Sequence, residues 1–312
     1  MSGEPPPPIV ALAERRAAAR RRKDFETADA LRRELEGSGW SVVDERDGAW
    51  RLEASATSEP TGAIRAADVP SVLHEPPTDD VSVHWVVEGW PGDVVRAIGS
   101  FGKYLSDDRR VRYVVTDVTG TAPETFGAGE RDDVEILALE AGTGWGAALN
   151  AGIRRATGRI VLLMDGSIEA VGDVIGPLER ALDDPAVGIV GPFGLVTHDL
   201  REFEEAAGPG PCDAIEGYCM ALRRDVLVDV EGVDERFRWY RTADIELSFR
   251  VKDRGLRTDV VPVPVIRHEH RMWFETEPAE RAKWSKRNFY RFLDRWRDRW
   301  DLVLDPRPPA GN

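Results

Sequence analysis

Residues 158–170 read GRIVLLMDGSIEA. The run from Ile160 to Met164 is apolar throughout, as expected of a strand buried on both faces, and it ends at Asp165-Gly166, so the strand delivers a carboxylate to its C-terminal edge. Working back along the chain, VSVHWVV (81–87), VRYVVTDV (111–118) and VEILAL (134–139) alternate with helical patterns in DVVRAIGSFGKYL (93–105) and GWGAALNAGIRRAT (144–157). Such alternation predicts an α/β domain with parallel strands joined by crossover helices. Ligands of such sheets bind beyond the carboxyl ends of the strands, which places Glu88, Asp117 and Asp165 at one edge.

The rest of the chain bounds what this domain can be. A length of 312 residues suggests roughly two domains. The formal charge of −14 disfavours a specific nucleic-acid partner, because the field of the whole protein repels phosphate. Cys212 and Cys219 stand apart from any second pair of ligands and read as reduced packing residues. The start, MSGEPPPPIV, has no basic-then-apolar leader pattern, and no apolar run approaches bilayer length, so a cytoplasmic location is expected.

Ahead of the sheet pattern, residues 9–36 carry two helical stretches, the second with Phe25, Ala28, Leu31, Arg32 and Leu35 at helical spacing. The segment WSVVDERDGAWRLE (40–53) adds two short strands about an Asp47-Gly48 turn, where glycine supplies the positive φ of a tight hairpin. The expected module is a helical hairpin plus a β-hairpin over 1–53, followed by an Ala-, Ser-, Thr-, Pro- and Glu-rich linker over 54–80. Residues 18–50, AARRRKDFETADALRRELEGSGWSVVDERDGAW, resemble the C-terminal end of cysteinyl-tRNA synthetases, and their helices resemble the UVR hairpin. That resemblance implies an RNA adaptor, whereas the residues themselves equally describe a charged hairpin packing on its own chain or on a partner. The acidic chain favours the second.

From Val81 to Trp300 the order of motifs resembles the family 2 glycosyltransferases of the GT-A fold. In that family a strand ends in DxD; here the motif stands as Asp165-Gly166-Ser167, with Glu169 two residues on. GTGWGAALNAGIRRATG (142–158) is similar to the family's glycine-rich approach, here Gly142, Gly144 and Gly146, to a helix bearing an Asn and a Gly, here Asn150 and Gly152. VDERFRWYRTADIELSFRVKDRGLRTDVVPVPVIRHEH (233–270) is similar to the family's turn, acidic pair, helix Arg, Gly and strand ending in His. The resemblance implies a GT-A three-layer sandwich with a mixed, mostly parallel sheet over 81–275.

It also implies roles. Glu88, Asp117, Gly144, Asn150, Asp165, Glu216 and Gly217 would bind the nucleotide sugar, Asp165 and His268 a divalent Mn or Mg ion, and Asp244 would be the base that deprotonates a hydroxyl acceptor. The reaction so implied is an inverting transfer from a nucleotide diphosphate sugar to a glycan or lipid-linked acceptor, in cell-envelope or polysaccharide biosynthesis. Each acid also has a plainer reading: Asp165 as a turn residue, Asp117 as a buried turn acid, Asp244 as a helix N-terminal acid with Glu246 solvated beside it. Ser167, Ala243 and the first turn VVEGWPGD depart from the family pattern and motivate an alternative, a catalytically degenerate homologue that binds or regulates.

Residues 276–312 add a helix with Phe289, Leu293, Trp296 and Trp300 on one stripe, and eight Arg or Lys against two Asp between Arg281 and Trp300. Packing on the main domain is the favoured reading. Peripheral contact with an anionic membrane face is the other.

Overall fold

The computed structural model describes residues 7–37, 40–44, 50–54, 63–106, 108–120 and 131–307; the expected Asp47-Gly48 turn lies outside them. The chain divides into two compact units, Met1–Gly62 and Ala63–Asn312.

In the first unit, helices α1 (Pro7–Arg21) and α2 (Phe25–Gly37) precede an antiparallel pair, β1 (Trp40–Asp44) and β2 (Trp50–Ala54), in register from Trp40 opposite Ala54 to Asp44 opposite Trp50. Ile9, Ala13 and Leu35 form its small core with Trp40, Val42, Trp50 and Leu52 against them. Ala28 and Leu31 are buried as the helical spacing requires, but Phe25, at the head of the helix, stays 60% exposed.

The second unit is built on an eight-stranded mixed sheet. Its elements in chain order are β3 (Asp79–Val87), α3 (Pro91–Gly102), β4 (Val111–Asp117), β5 (Val134–Ala138), α4 (Trp145–Arg154), β6 (Gly158–Met164) and β7 (Ile168–Ala170). They continue with α5 (Ile175–Leu182), β8 (Val187–Gly191), β9 (Gly194–Thr197), β10 (Phe203–Glu205), β11 (Gly210–Cys212), β12 (Ala214–Ile215), β13 (Cys219–Arg223) and α6 (Arg224–Asp229). The last are α7 (Ala243–Asp253), β14 (Arg257–Val260), β15 (Val265–Arg267), α8 (Arg271–Glu275) and α9 (Pro278–Trp296).

Strand order is β11-β14-β8-β13-β6-β3-β4-β5, with β6, β3, β4 and β5 parallel in sequence and β13 antiparallel between β6 and β8. The central strands alternate between two cores. Ile160, Leu162 and Met164 of β6 join α3 and α5 on one face, while Val161 and Leu163 join α4, α6 and α7 on the other. This is the helix, sheet, helix sandwich that continuous Val, Ile and Leu runs demand. The fit on the second face is close: a Cβ on Gly152 of α4 would come within 2.0 Å of the His84 ring, so only glycine admits the buried imidazole that bonds Thr116.

Two peripheral segments complete the unit. From Ala63 on, the stretch expected as linker packs against the sheet domain: Val69 is buried, Ile64 bridges Leu139, and Arg224 donates to the carbonyls of Val72 and Glu75. Helix α9 buries Asn288, Phe292, Leu293 and Trp296 against Phe249 of α7, Leu200 and Val303, with Phe289 and Trp300 at the margin. Among the described residues no helix is long and apolar enough to cross a membrane.

Candidate active site

Parallel strands β3 and β6 run side by side, Trp85 opposite Met164, so that Glu88 and Asp165 emerge together at their carboxyl ends. Asp165 continues the ladder through its N–H to the Tyr218 carbonyl, then turns: the Ser167 N–H and hydroxyl both donate to its Oδ1, at 2.8 and 2.5 Å. Arg96 clamps this turn from α3, donating to the Gly166 carbonyl at 3.0 Å while paired with Asp93 at 2.7 Å. Ser167 therefore steadies the first acid of the turn instead of supplying a second.

The histidine segment reaches the same corner through a short antiparallel pairing. β15 runs against β7 with Arg267 opposite Ile168 and Ile266 opposite Glu169, and the His268 N–H donates to the Ser167 carbonyl at 2.8 Å. Two residues further along this register His270 falls opposite Asp165, and its Nε2 lies 3.0 Å from Asp165 Oδ2. His268, expected as the partner of Asp165, instead sits on the Glu169 carboxylate at 2.7 Å and is 40% exposed. The imidazole that meets Asp165 is His270, packed edge-on against Tyr240 and Tyr218 at 4.5 and 5.6 Å.

The acids here titrate differently. Burial pushes Asp165 up, but the hydrogen bonds and charge of His270, with those of Ser167, outweigh it and hold the carboxyl below its ordinary range. Glu88 is raised to about 8, first by burial and then by the neighbouring Asp165 charge.

Asp244 enters from α7. Thr242 takes a left-handed conformation, φ 71°, that starts the helix, and Asp244 stands in its first turn. Its Oδ2 accepts the Gly217 N–H at 2.8 Å and its Oδ1 the Ile245 N–H at 2.9 Å. Ser248, one turn on, accepts the Ile215 N–H and so ties α7 to β12. Burial raises the Asp244 carboxyl, against the two backbone donors and Arg241. Glu216 is pushed up to about 7 by burial and then by Asp244, with Arg267 3.8 Å away. Gly255, at φ +79°, closes α7 as a helix-ending glycine should.

Asp165, His270, Glu88, Glu216, Gly217 and Asp244 all line one cavity of about 800 Å³. The acids at 165 and 244, far apart in sequence, thus share a single hollow at the top of the sheet.

Three of the expected site residues do other work. Asp117 is fully buried and spends its Oδ1 on the Thr119 N–H and hydroxyl and the Gly120 N–H, capping its own turn. Gly144 starts α4 beneath Arg238, where a Cβ would meet the Arg238 side chain at 3.0 Å. Asn150 is buried, its Nδ2 donating to the Val233 carbonyl and its Oδ1 accepting the Val233 N–H, both at 2.8 Å. It pins the 233–238 turn to α4. Glu246, taken as solvated, is 1% exposed and paired with Arg250 at 3.0 Å and Arg295 at 3.1 Å. Arg250 also donates to the carbonyls of Val230 and Gly232, so this pair holds the turn and α9 together.

The mixed, mostly parallel sheet with helices on both faces is the GT-A fold. Residues 114–240 match the family model described as glycosyl transferase family 2. Asp244 and His270 lie beyond the matched segment, so their place in the site rests on geometry.

The crystal structure of GalNAc-T7 with UDP, GalNAc and Mn²⁺ superposes with a TM-score of 0.56 at 15% identity, over 73% of this chain and 49% of that one. The chain thus spans about half the length of that protein. The mannosyltransferase PcManGT from Pyrobaculum calidifontis, in complex with GDP-Man and Mn²⁺, gives 0.48 at 17% identity over 73% and 77%. S. aureus TarS 1-349 gives 0.48 at 13% identity over 70% and 72%. At the other end, residues 3–51 match the cysteinyl-tRNA ligase anticodon binding domain. No curated protein sequence matches the chain.

Proposed function

We propose that the 63–312 unit transfers a sugar, with inversion, from a nucleotide diphosphate sugar to a hydroxyl acceptor. The observation that carries this reading is the shared cavity in which a strand-end Asp165 with His270 and a helix-borne Asp244 face the same space. Asp244 would take the proton of the acceptor hydroxyl as its oxygen bonds to the anomeric carbon. The bond from that carbon to the diphosphate oxygen would break with its electron pair leaving on the phosphate. A carboxylate whose environment raises its pKa is a better base near neutrality than an ordinary one, and the Gly217 and Ile245 donors fix its direction.

A divalent cation suits the Asp165 corner. One carboxylate and one imidazole form a donor pair that accepts Mn²⁺, and a positive charge would relieve the Asp165 repulsion that raises Glu88. The buried His270 Nδ1 has no hydrogen-bond partner among the described residues, so Nε2 is the nitrogen committed to the Asp165 side. Among the described residues no group of three or more His, Cys, Asp or Glu is arranged to hold a metal, so further positions would be filled by donor phosphates and water. The ion would offset charge on the leaving diphosphate. Glu88, Glu216 and Gly217 would contact the nucleotide sugar, and the membrane-facing reading of α9 is secondary to its packing.

Calorimetric titration of nucleoside diphosphates with and without Mn²⁺ tests the reading. Metal-dependent binding with donor turnover supports it. Binding without turnover would favour a degenerate, ligand-binding homologue, for which Ser167 in place of an acid is the motive, and no binding at all would defeat the transferase reading.

A further inference from the structure

The cavity has a second wall that the donor chemistry leaves unused. Beyond the strand ends of β3 and β6, its lining includes Arg201 and Phe203 of the β9–β10 segment, Arg241 before α7, and Lys286, Phe289 and Tyr290 of α9. In a chain with 56 acids to 42 bases, cations normally find partners: Arg96, Arg109, Arg250, Arg257 and Arg299 all pair with carboxylates. Among the described residues Arg201, Arg241 and Lys286 form no ion pair; Arg241 lies over the Trp273 ring at 4.8 Å, and its charge draws the Asp244 and Glu216 carboxyls downward. Glu205, Glu216 and Asp244 are acids of the same lining. Beside the cations lie aromatic faces, with Tyr290 53% exposed. The neighbouring Lys283 and Arg287 lie over the Trp284 ring, and neither forms an ion pair among the described residues.

Three cations around a hollow, next to aromatic surface, match a ligand with a phosphate and an apolar or sugar-ring face. Guanidinium forks take phosphate oxygens in pairs, and an ammonium adds a point charge. The donor's own diphosphate is already assigned to the Asp165 and His270 wall, so the second phosphate belongs to the other substrate.

We propose that the acceptor is a phosphorylated sugar whose phosphate sits on Arg201, Arg241 and Lys286 while its free hydroxyl reaches Asp244. This rests on the transferase reading and specifies its acceptor. The phosphate takes no part in the transfer. The acceptor oxygen bonds to the anomeric carbon, its proton passes to Asp244, and the nucleoside diphosphate leaves with the electron pair of the broken bond.

The test titrates three probes into the full chain: a hexose 1-phosphate, the farnesyl phosphodiester of the same sugar, and the methyl hexoside. A nucleoside diphosphate with Mn²⁺ is titrated in parallel. The hexose 1-phosphate should bind, the methyl hexoside should bind at least about tenfold more weakly, and the double variant R201Q/K286Q should lose at least about tenfold in affinity for the phosphate, as removal of two charge-assisted hydrogen bonds requires. Tighter binding of the farnesyl ester would assign the phosphate to a lipid-linked acceptor, and equal binding to a soluble sugar phosphate. Equal affinity for neutral and phosphorylated sugars would overturn the inference. So would displacement of the hexose phosphate by the nucleotide, or a parallel loss of nucleotide affinity in the double variant, since the cations would then serve the donor. A protein that binds the nucleotide but no sugar phosphate defeats this inference alone; one that binds neither defeats the transferase reading as well.

Discussion

Replacing Asp244 by Asn separates chemistry from architecture at the proposed base. The carboxylate accepts two backbone N–H groups through different oxygens, Gly217 at 2.8 Å and Ile245 at 2.9 Å. Asparagine keeps the shape and one acceptor oxygen, so one of the two bonds is lost and an amide faces an N–H. The net cost is about 1 kcal/mol, or about 2–4 °C in Tm for a domain of this size. That is small beside the roughly 5–15 kcal/mol that holds a domain folded. Loss of a general base, by contrast, lowers turnover about 10²- to 10⁴-fold, a rise of about 3–5 kcal/mol in the barrier. Nucleoside diphosphate release under saturating donor, with thermal melting and nucleotide titration on the same sample, reads all three. The expected result is turnover down by at least about a hundredfold, a Tm within a few degrees and nucleotide affinity nearly intact. Turnover within about threefold of wild type would refute the assignment of the base.

Asn150→Ala strands the buried N–H and carbonyl of Val233, so chemical denaturation should show a loss of about 2–4 kcal/mol. Nucleotide affinity of the folded fraction should stay unchanged; a selective loss of affinity at full stability would restore Asn150 to the ligand. His270→Ala should weaken Mn²⁺-dependent nucleotide binding about tenfold or more, while His268→Ala changes it by less than about twofold, and the reverse order in calorimetry would contradict the register that sets His270 beside Asp165. Glu88, raised from 4.5 to about 8, keeps a proton in the folded chain that the unfolded chain releases. The stability it contributes is therefore complete at acid pH and is lost as pH climbs through the folded value. Melting in chelator should fall across this window, and Glu88→Gln should flatten the fall; an unchanged slope would refute the shift.

The sheet was readable from sequence because its central strands are buried on both faces. Val-, Ile- and Leu-rich runs at 81–87, 111–118, 134–139 and 159–164 need no partner to be recognised, and each ends within one residue of the end of β3, β4, β5 or β6. The carboxyl edge followed at once, and with it Glu88 and Asp165. The second half of the presumed linker was not readable, since its packing is made by single side chains such as Val69 and by Arg224 reaching the backbone at 72 and 75, contacts without period or motif. The same holds for Glu246. A charged residue beside a helix start reads as solvated until the folded chain brings Arg295 back from α9, 49 residues away.

The Asp165 corner shows why one residue of register decided what composition left open. β7 and β15 are three residues each, too short for any alternation to announce them, and both carry polar residues. Their pairing nonetheless sets Arg267 against Ile168, and the antiparallel step then sets 268 against 167 and 270 against 165. HEH therefore offers two imidazoles on the same side of an extended chain, and only the more distant one meets the strand-end acid. A one-residue slip would point Glu269 at Asp165 instead, setting two carboxylates in contact where neither desolvation nor charge favours them. The corner that would hold the cation is thus specified less by its ligands, which are common residue types, than by the three-residue pairing of β7 with β15.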